Sequence, residues 1–447
     1  KSRLEAIVKR GGTVTVIDPR RTQTADIASE HLFIRPGTDA YLLLALVHTL
    51  FAEDLVAMGR LESFVDGTEE MRALAAEVTP ESASAVTGID ADAIRGLARG
   101  AAGASRPVFY GRMGACTQEF GGLNAWLLNV LNILVGALDA PGGAMFSNPA
   151  VDIPGLGERF GLKGHYDKYQ SRVRGLPEFS GELPVATMAD EMLTSGEGQI
   201  RGLVCIAGNP VLSTPNGAKL EGALAGLDFM VAIDPYINET TKHANIILPP
   251  TSPLERDHYD VVFGLLMVRN NAKFAPAVFA RQSEQRHDWE IFSELWSRVR
   301  KTSGVFSGLK HSVLRRALLK AGPRAALALA LRTGPHKVTL GTLLKTPHGV
   351  DLGALTPMLP EILATKDRRI RLVTEPYRSD IGRLTKARVR DESFPLRLIG
   401  RRHLRSNNSW LHNSKRLVKG KDRCTLQVHP SDAESHKLAN GSAVTVT

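Results

Sequence analysis

Apolar and polar positions alternate in two rhythms along this chain. Short apolar runs, many of them β-branched, cover Thr13 to Ile17, His31 to Ile34, Pro107 to Tyr110, Gly202 to Ala207 and Ile246 to Leu248, and read as buried strands. Between them apolar residues recur at helical spacing over Leu42 to Glu53, Met71 to Val78, Ala91 to Ala102, Leu123 to Leu138, Val185 to Thr194 and Ala218 to Ala225. The alternation predicts an α/β fold: two doubly wound, largely parallel sheets covered on both faces. Gly11-Gly12 stops a first helix, and Arg35-Pro-Gly-Thr-Asp39 makes a turn in which Thr38 or Asp39 can cap the next helix. Ser147 to Phe179 lacks periodicity and reads as a long irregular connection. Asp288 to Arg300 places Trp289, Phe292, Leu295, Trp296 and Val299 on one packing face, and a basic helical stretch follows over Ser303 to Leu344. From Phe394 the rhythm changes to short strands, Pro395 to Gly400, Cys424 to His429 and Ser442 to Thr447, the start of a β-barrel-like domain. His429-Pro-Ser-Asp432 opens a short helix there, with Ser431 or Asp432 as its cap. Three parts result: residues 1–147, residues 148–392, and residues 393–447.

One pattern occurs twice. Val16-Ile-Asp-Pro, followed by Thr24 and Ala28, returns as Ala232-Ile-Asp-Pro, followed by Thr240 and Ala244, at a constant offset of 216 residues. Each copy is an apolar strand ending in Asp18 or Asp234, a loop of hydroxyl and amide groups, then a second apolar run into a Pro turn. A carboxylate at a strand end accepts paired hydrogen bonds from a ribose diol or a guanine edge. Two such places predict two similar ligand halves. Arg20 and Arg21 beside Asp18 suit a pyrophosphate, and Asp39 adds a second carboxylate. Gly111-Arg-Met-Gly114 follows a predicted strand where α/β proteins bind ligands. Glu255-Arg-Asp-His258 reads either as a solvated turn or as the wall of a substrate channel.

Composition narrows the class. At 447 residues the chain is too long for one ordinary domain. An apolar fraction of 43% with 23% charged residues is globular, and no apolar run reaches the ~20 residues of a membrane span. The net charge of +10 is concentrated late in the chain, around Arg397, Arg401, Arg402, Arg405 and Lys415. Interleaved with Asn, Ser and His, it points to a basic cleft for a phosphorylated cofactor rather than to nucleic acid. Cys116, Cys205 and Cys424 are far apart and form neither a disulfide framework nor a metal cluster. They are expected as buried thiols in a reducing, cytoplasmic setting. Lys1 and Thr447 both fall at the edge of predicted elements, so the chain reads as an internal piece of a longer one.

The motifs in order resemble the molybdopterin oxidoreductase family, of the dimethyl sulfoxide reductase type. They are Val16-Ile-Asp-Pro-Arg-Arg-Thr-Gln-Thr-Ala25, Arg35-Pro-Gly-Thr-Asp39, Tyr110-Gly-Arg-Met-Gly114, Asn132 to Gly143, Gly208-Asn-Pro210, Asp234 to Pro249, and Leu398-Ile-Gly-Arg401 with Ser406 to Trp410. The resemblance implies two molybdopterin guanine dinucleotides around one Mo or W atom, with oxygen-atom or proton-coupled two-electron transfer at the metal. It implies that Asp18, Arg20, Thr24 and Asp39 line one nucleotide site, with Arg21, Gly37, Gly111, Met113 and Gly114 as further cofactor-binding residues. Gly208, Asn209, Asp234 and Thr240 would line the other, with Pro210 and Asn238 as further cofactor-binding residues. Gly400, Arg401, Asn407, Asn408 and Trp410 would approach the pterins. The family's [4Fe–4S] cluster and metal-ligating side chain precede the first Asp-Pro-Arg motif, so neither is expected in this chain, and Cys116 stands in the wrong place for the ligand. A small-molecule substrate and an electron-transfer subunit or ferredoxin-like carrier are the implied partners. A non-redox hydratase or transhydroxylase on the same scaffold, and a metal-free assembly subunit, are the competing readings.

Overall fold

The computed structural model describes residues 1–159, 161, 164–302, 309–386, 394–403, 405, 407, 411, 414–420 and 424–446. Close packing divides the chain into Lys1–Ala387 and Arg388–Thr447.

Helix α1 (Ser2–Lys9) ends where Gly11 takes a left-handed φ of 86°, and strand β1 (Thr15–Ile17) follows. β1 pairs in parallel with β2 (Glu30–Leu32). Helix α2 (Asp39–Ala52) begins earlier than its apolar run, because a carboxylate in the first turn suits the positive end of the helix dipole. Thr38 holds the N-cap position but does not cap: its hydroxyl donates to the Arg35 carbonyl at 2.7 Å. α2 carries no charge between Asp39 and Glu53 and is buried almost all round, with Leu44, Ala45, Val47 and Leu50 fully enclosed. Each such leucine contributes roughly 1.5–3 kcal/mol.

Around α2 pack helices α3 (Thr68–Ala75), α4 (Pro80–Thr87) and α5 (Ala91–Gly103), with the short strand β3 (Val65–Asp66) leading into α3. Residues 107–110 form no strand. Buried Asn132 takes the place of a neighbouring strand: its Oδ1 accepts from Phe109 N at 2.9 Å and its Nδ2 donates to Phe109 O at 2.8 Å. Helices α6 (Met113–Cys116) and α7 (Gly121–Leu134) complete this half. Fully buried Asp139 accepts from Arg60 and from Met358 N and Leu359 N, tying a distant segment to the α7 stop.

The expected irregular connection contains helix α8 (Ile153–Arg159) and an antiparallel hairpin, β4 (Tyr166–Gln170) with β5 (Pro177–Phe179). Buried Glu178 organises the hairpin by accepting from His165, Lys168 N and Gly181 N. Helix α9 (Met188–Leu193), strand β6 (Gly202–Ile206), helices α10 (Pro210–Ser213) and α11 (Gly217–Ala225), and strands β7 (Phe229–Ile233) and β8 (Ile246–Ile247) make the second α/β unit. The sheet is parallel in the order β6-β7-β8. α9, α10 and α11 bury only one face, against Met230, Leu203 and Cys205. Val204, Ile206 and Ile246 on the other face remain 43–50% exposed, so among the described residues the sheet is not covered on both sides as expected.

A third core gathers Ala150, Val151, Ala272, Phe274, Leu331, Val338 and Leu343. It draws on strands β9 (His258–Tyr259), β10 (Asn270–Ala272) and β11 (Phe274–Ala275), and on helices α13 (Leu309–Thr333, broken by a kink at Gly322) and α14 (Leu340–Lys345), while helix α12 (Asp288–Thr302) supplies no described residue to it. Strand β12 (Val350–Gly353) pairs with β10 in the antiparallel sense. On the expected packing face of α12, Trp289 and Leu295 are half-buried, whereas Phe292 and Trp296 are exposed. Strand β13 (Ile370–Arg371) then pairs with β3, and helix α15 (Glu375–Leu384) receives a hydrogen bond from Tyr41 to the Leu384 carbonyl.

In Arg388–Thr447 none of the expected barrel strands is assigned among the described residues. Helix α16 (Pro430–Ser435) is the one regular element described, and His429, not Ser431 or Asp432, accepts the capping N–H. Cys116 and Cys424 are exposed and Cys205 is half-buried, against the expectation of three buried thiols. No described helix is long and apolar enough to cross a membrane.

Candidate functional site: two strand-end cradles

The duplicated pattern folds into duplicated geometry. β1 and β2 pair Thr15 with Glu30 and Val16 with His31; β7 and β8 pair Val231 with Ile246 and Ala232 with Ile247. Every partner is offset by 216 residues, so the register is identical. Just before the ladder, Ser29 N donates to Val14 O and Asn245 N to Met230 O, while Val14 N bonds the Ser29 hydroxyl and Met230 N the Asn245 side chain. After the strand, Asp18 Oδ1 accepts from Arg20 N and Asp234 Oδ1 from Tyr236 N, both at 2.8 Å. Each is an Asp-Pro turn that commits one carboxylate oxygen. The loop then closes on a single 3₁₀ turn, Ala25–Ile27 or Thr241–His243. Thr22 and Asn238 stand in the same place: Ala25 N donates to the Thr22 hydroxyl and Thr241 N to Asn238 Oδ1.

In the first cradle Arg20 is half-buried, Thr24 is exposed, and Arg21 is turned to Asp26, its Nε 2.8 Å from Oδ1. Gly37 takes a φ of 83° that a side chain resists. Asp39 lies close enough to Asp18 to feel its charge. Burial, and then that charge, push the Asp39 carboxyl above its ordinary range, against hydrogen bonds from Gln118 and its own backbone N–H. Gln118 Nε2 donates to Asp39 Oδ2 at 2.6 Å and to the Gly114 carbonyl at 2.7 Å, bringing Gly114 beside Asp39. Gly111 packs against Leu128, where a Cβ would collide, and Met113 is 56% exposed. The sequence reading missed Gln118; its place one helical turn after Gly114 was the available signal.

In the second cradle Asn209, between Gly208 and Pro210, connects two loops. Its Oδ1 accepts from the Thr240 hydroxyl at 2.7 Å and its Nδ2 donates to Glu239 at 2.7 Å. The Asn209 amide holds the Glu239 carboxyl below its ordinary range. Thr240 is fully buried and also accepts from Val211 N at 3.1 Å, and Pro210 opens α10. Asp234 is 8% exposed. Burial and then the charge of Asp234 raise the nearby Cys205 thiol. Gly400, exposed Arg401 and Asn407 belong to the second compact unit, Arg388–Thr447; Asn408 and Trp410 lie outside the described residues. No trio of His, Cys, Asp or Glu suited to a metal ion occurs among the described residues.

Two matched carboxylate loops, each at the C-terminal edge of a parallel strand, mark this as an α/β protein with a duplicated strand-end geometry, at the edge where α/β folds bind ligands. The sequence model for the molybdopterin oxidoreductase family matches residues 2–298, and that for the molydopterin dinucleotide binding domain matches residues 396–447. The chain belongs to the molybdopterin oxidoreductase family. It is 30% identical over 319 residues to the assimilatory nitrate reductase catalytic subunit of Bacillus subtilis, covering 66% of this chain and 43% of that one. It is 25% identical over 451 residues to the probable oxidoreductase YoaE of the same organism, covering 98% of this chain and 62% of that one. The structure of acetylene hydratase from Pelobacter acetylenicus shares the fold, with a TM-score of 0.61 at 20% identity over 86% of this chain and 54% of that one. The chain thus spans about half the length of these relatives.

Proposed function

We propose that this chain binds the two guanine dinucleotide ends of a bis-molybdopterin guanine dinucleotide carrying Mo or W. Residues 1–147 take one end and residues 148–392 the other; residues 393–447 supply contacts to the pterins through Gly400, Arg401, Asn407, Asn408 and Trp410. The observation that carries this reading is the identical register of the two cradles at a constant offset. The donor set fits the ligand. Asp18 and Asp234 each keep one carboxylate oxygen outside the Asp-Pro turn, suited to the paired N–H donors of a guanine or the hydroxyls of a ribose. Arg20, with backbone N–H groups of the loop, suits a pyrophosphate.

In the complete enzyme the bound metal supplies oxygen-atom or proton-coupled two-electron transfer on a small-molecule substrate. The metal-ligating side chain and a [4Fe–4S] cluster are assigned to sequence outside these residues, and an electron-transfer subunit or ferredoxin-like carrier is the proposed redox partner. Metal analysis of the purified full-length protein, with quantification of guanine nucleotide released by acid hydrolysis, tests the reading. One Mo or W and two guanine nucleotides per chain are expected. Protein with neither metal nor guanine would remove the enzyme assignment in favour of a metal-free assembly subunit.

A further inference from the structure

Gln118 joins the first cradle to the helix behind it. Its Nε2 bridges Asp39 Oδ2 at 2.6 Å and the Gly114 carbonyl at 2.7 Å. Its Oε1 accepts from Asn124 Nδ2 at 3.4 Å, and the same Nδ2 donates to the Ala115 carbonyl at 2.8 Å. Asn124 is fully buried on α7 and is itself bonded to the Ala115 carbonyl, so the amide of Gln118 is backed by a buried residue. Asp39 needs such an anchor: it is half-buried at the start of α2 and faces the like charge of Asp18. Among the described residues Gln118 is the one side chain that donates to it.

We propose that Gln118 is the positioning residue of the first cradle. Its amide fixes one oxygen of Asp39 to the Gly114 turn, so that the other oxygen is presented together with Asp18 to paired N–H or O–H donors of the ligand. The inference rests on the dinucleotide reading above. The Gln118 hydrogen bond also favours the ionised form of Asp39. A carboxylate accepts two such donors only while ionised, and burial and Asp18 favour its protonation while the Gln118 amide opposes it.

The test uses GDP as probe and the full-length protein, made in a host that cannot attach a guanine nucleotide to molybdopterin. Calorimetric titrations from pH 5 to 8 compare wild type, Gln118→Ala, Asp39→Asn and the double variant. Gln118→Ala is expected to bind GDP about tenfold more weakly at neutral pH. Its affinity should begin to fall at a higher pH than that of wild type as the solution is acidified. In the Asp39→Asn background the same change should cost nothing further. Unchanged affinity and an unchanged acid limb in Gln118→Ala, or an equal loss in both backgrounds, would overturn the proposal. Wild-type protein that does not bind GDP would instead remove the dinucleotide reading. Melting temperatures of the same four proteins then decide the Gln118–Asp39 coupling: strict additivity refutes it.

Discussion

Thr24 is exposed to solvent, whereas Thr240, its counterpart 216 residues on, is wholly buried between Asn209 and Val211 N. The two loops around them have the same register, the same Asp-Pro turn and the same 3₁₀ closure. The difference comes from a neighbour. β7 lies between β6 and β8, and the turn after β6 delivers Asn209 onto the loop. β1 pairs with β2 alone among the described residues. Where the first copy carries Arg20 and Arg21, the second carries Tyr236 and Ile237, 59% and 79% exposed. The copies diverge again one step later. Asp39 and Glu255 stand at the same offset, and each accepts from a glutamine amide, Gln118 or Gln285. Asp39 opens a 14-residue buried helix and is pushed upward by burial. Glu255 instead closes a capping box on Ser252 in a single 3₁₀ turn, and the Ser252 backbone N–H and then Gln285 hold it below its ordinary range. Local sequence repeats the backbone; the surroundings decide whether a carboxylate stays available or becomes structural.

The comparison can be broken most directly at the ligand. Asp18→Ala and Asp234→Ala should each weaken retention of one guanine nucleotide by about 1–3 kcal/mol, because a donor of the ligand loses its partner. Guanine released per chain should fall in either variant, and further in the double variant. Full retention in both would dissolve the equivalence of the two cradles.

Stability separates the copies where ligand binding unites them. Thr240→Val leaves Val211 N and Asn209 Oδ1 without their partner and should cost about 2 kcal/mol in urea unfolding. Thr24→Val, at an exposed position, should stay within about 0.5 kcal/mol. Equal effects would contradict the role given to β6 and Asn209.

The carboxylates at the third position should respond to pH with opposite signs. The Asp39 pKa is raised on folding, so wild type loses stability as the pH climbs from the ordinary value of 3.8 through the raised one. Asp39→Asn removes that loss and should melt higher than wild type at neutral pH in ligand-free protein. The Glu255 pKa is lowered, so its contribution is present above the ordinary value of 4.5 and is lost as the pH falls through the lowered one. Glu255→Gln should melt lower than wild type at neutral pH, and the two should converge in acid. Melting temperatures from pH 7 down to 3 check both signs.

The smallest expected effect sharpens the comparison inside the loop. Asn238 Oδ1 accepts from both Thr240 N and Thr241 N, while the Thr22 hydroxyl accepts from Ala25 N alone. Asn238→Thr should cost about 0.5 kcal/mol and Thr22→Asn should be neutral or slightly stabilising, measurable as shifts in the urea midpoint.

Much of this was legible in the residues. Strand, Asp-Pro turn and closing Thr are local features, set by side-chain bonds that reach two or three positions along the chain, so a repeated sequence had to repeat them. The order of the motifs likewise carried the family. Other expectations failed for reasons beyond local reach. Pro107 to Tyr110 has strand composition, yet Asn132, more than twenty residues away, satisfies Phe109 in place of a ladder. The apolar face of α12 has helical spacing, yet Phe292 and Trp296 on it stay exposed. By itself the sequence determined where backbone turns, which carboxylates end the strands, and that there are two such ends. Only the tertiary structure decided that Thr240 is buried and Thr24 is not, that Glu255 is consumed by a cap, and that Gln118 reaches back to Asp39. These depend on which distant segments meet. That is settled by packing area and by the need of each buried polar group for a partner, neither of which is written in any one stretch of chain.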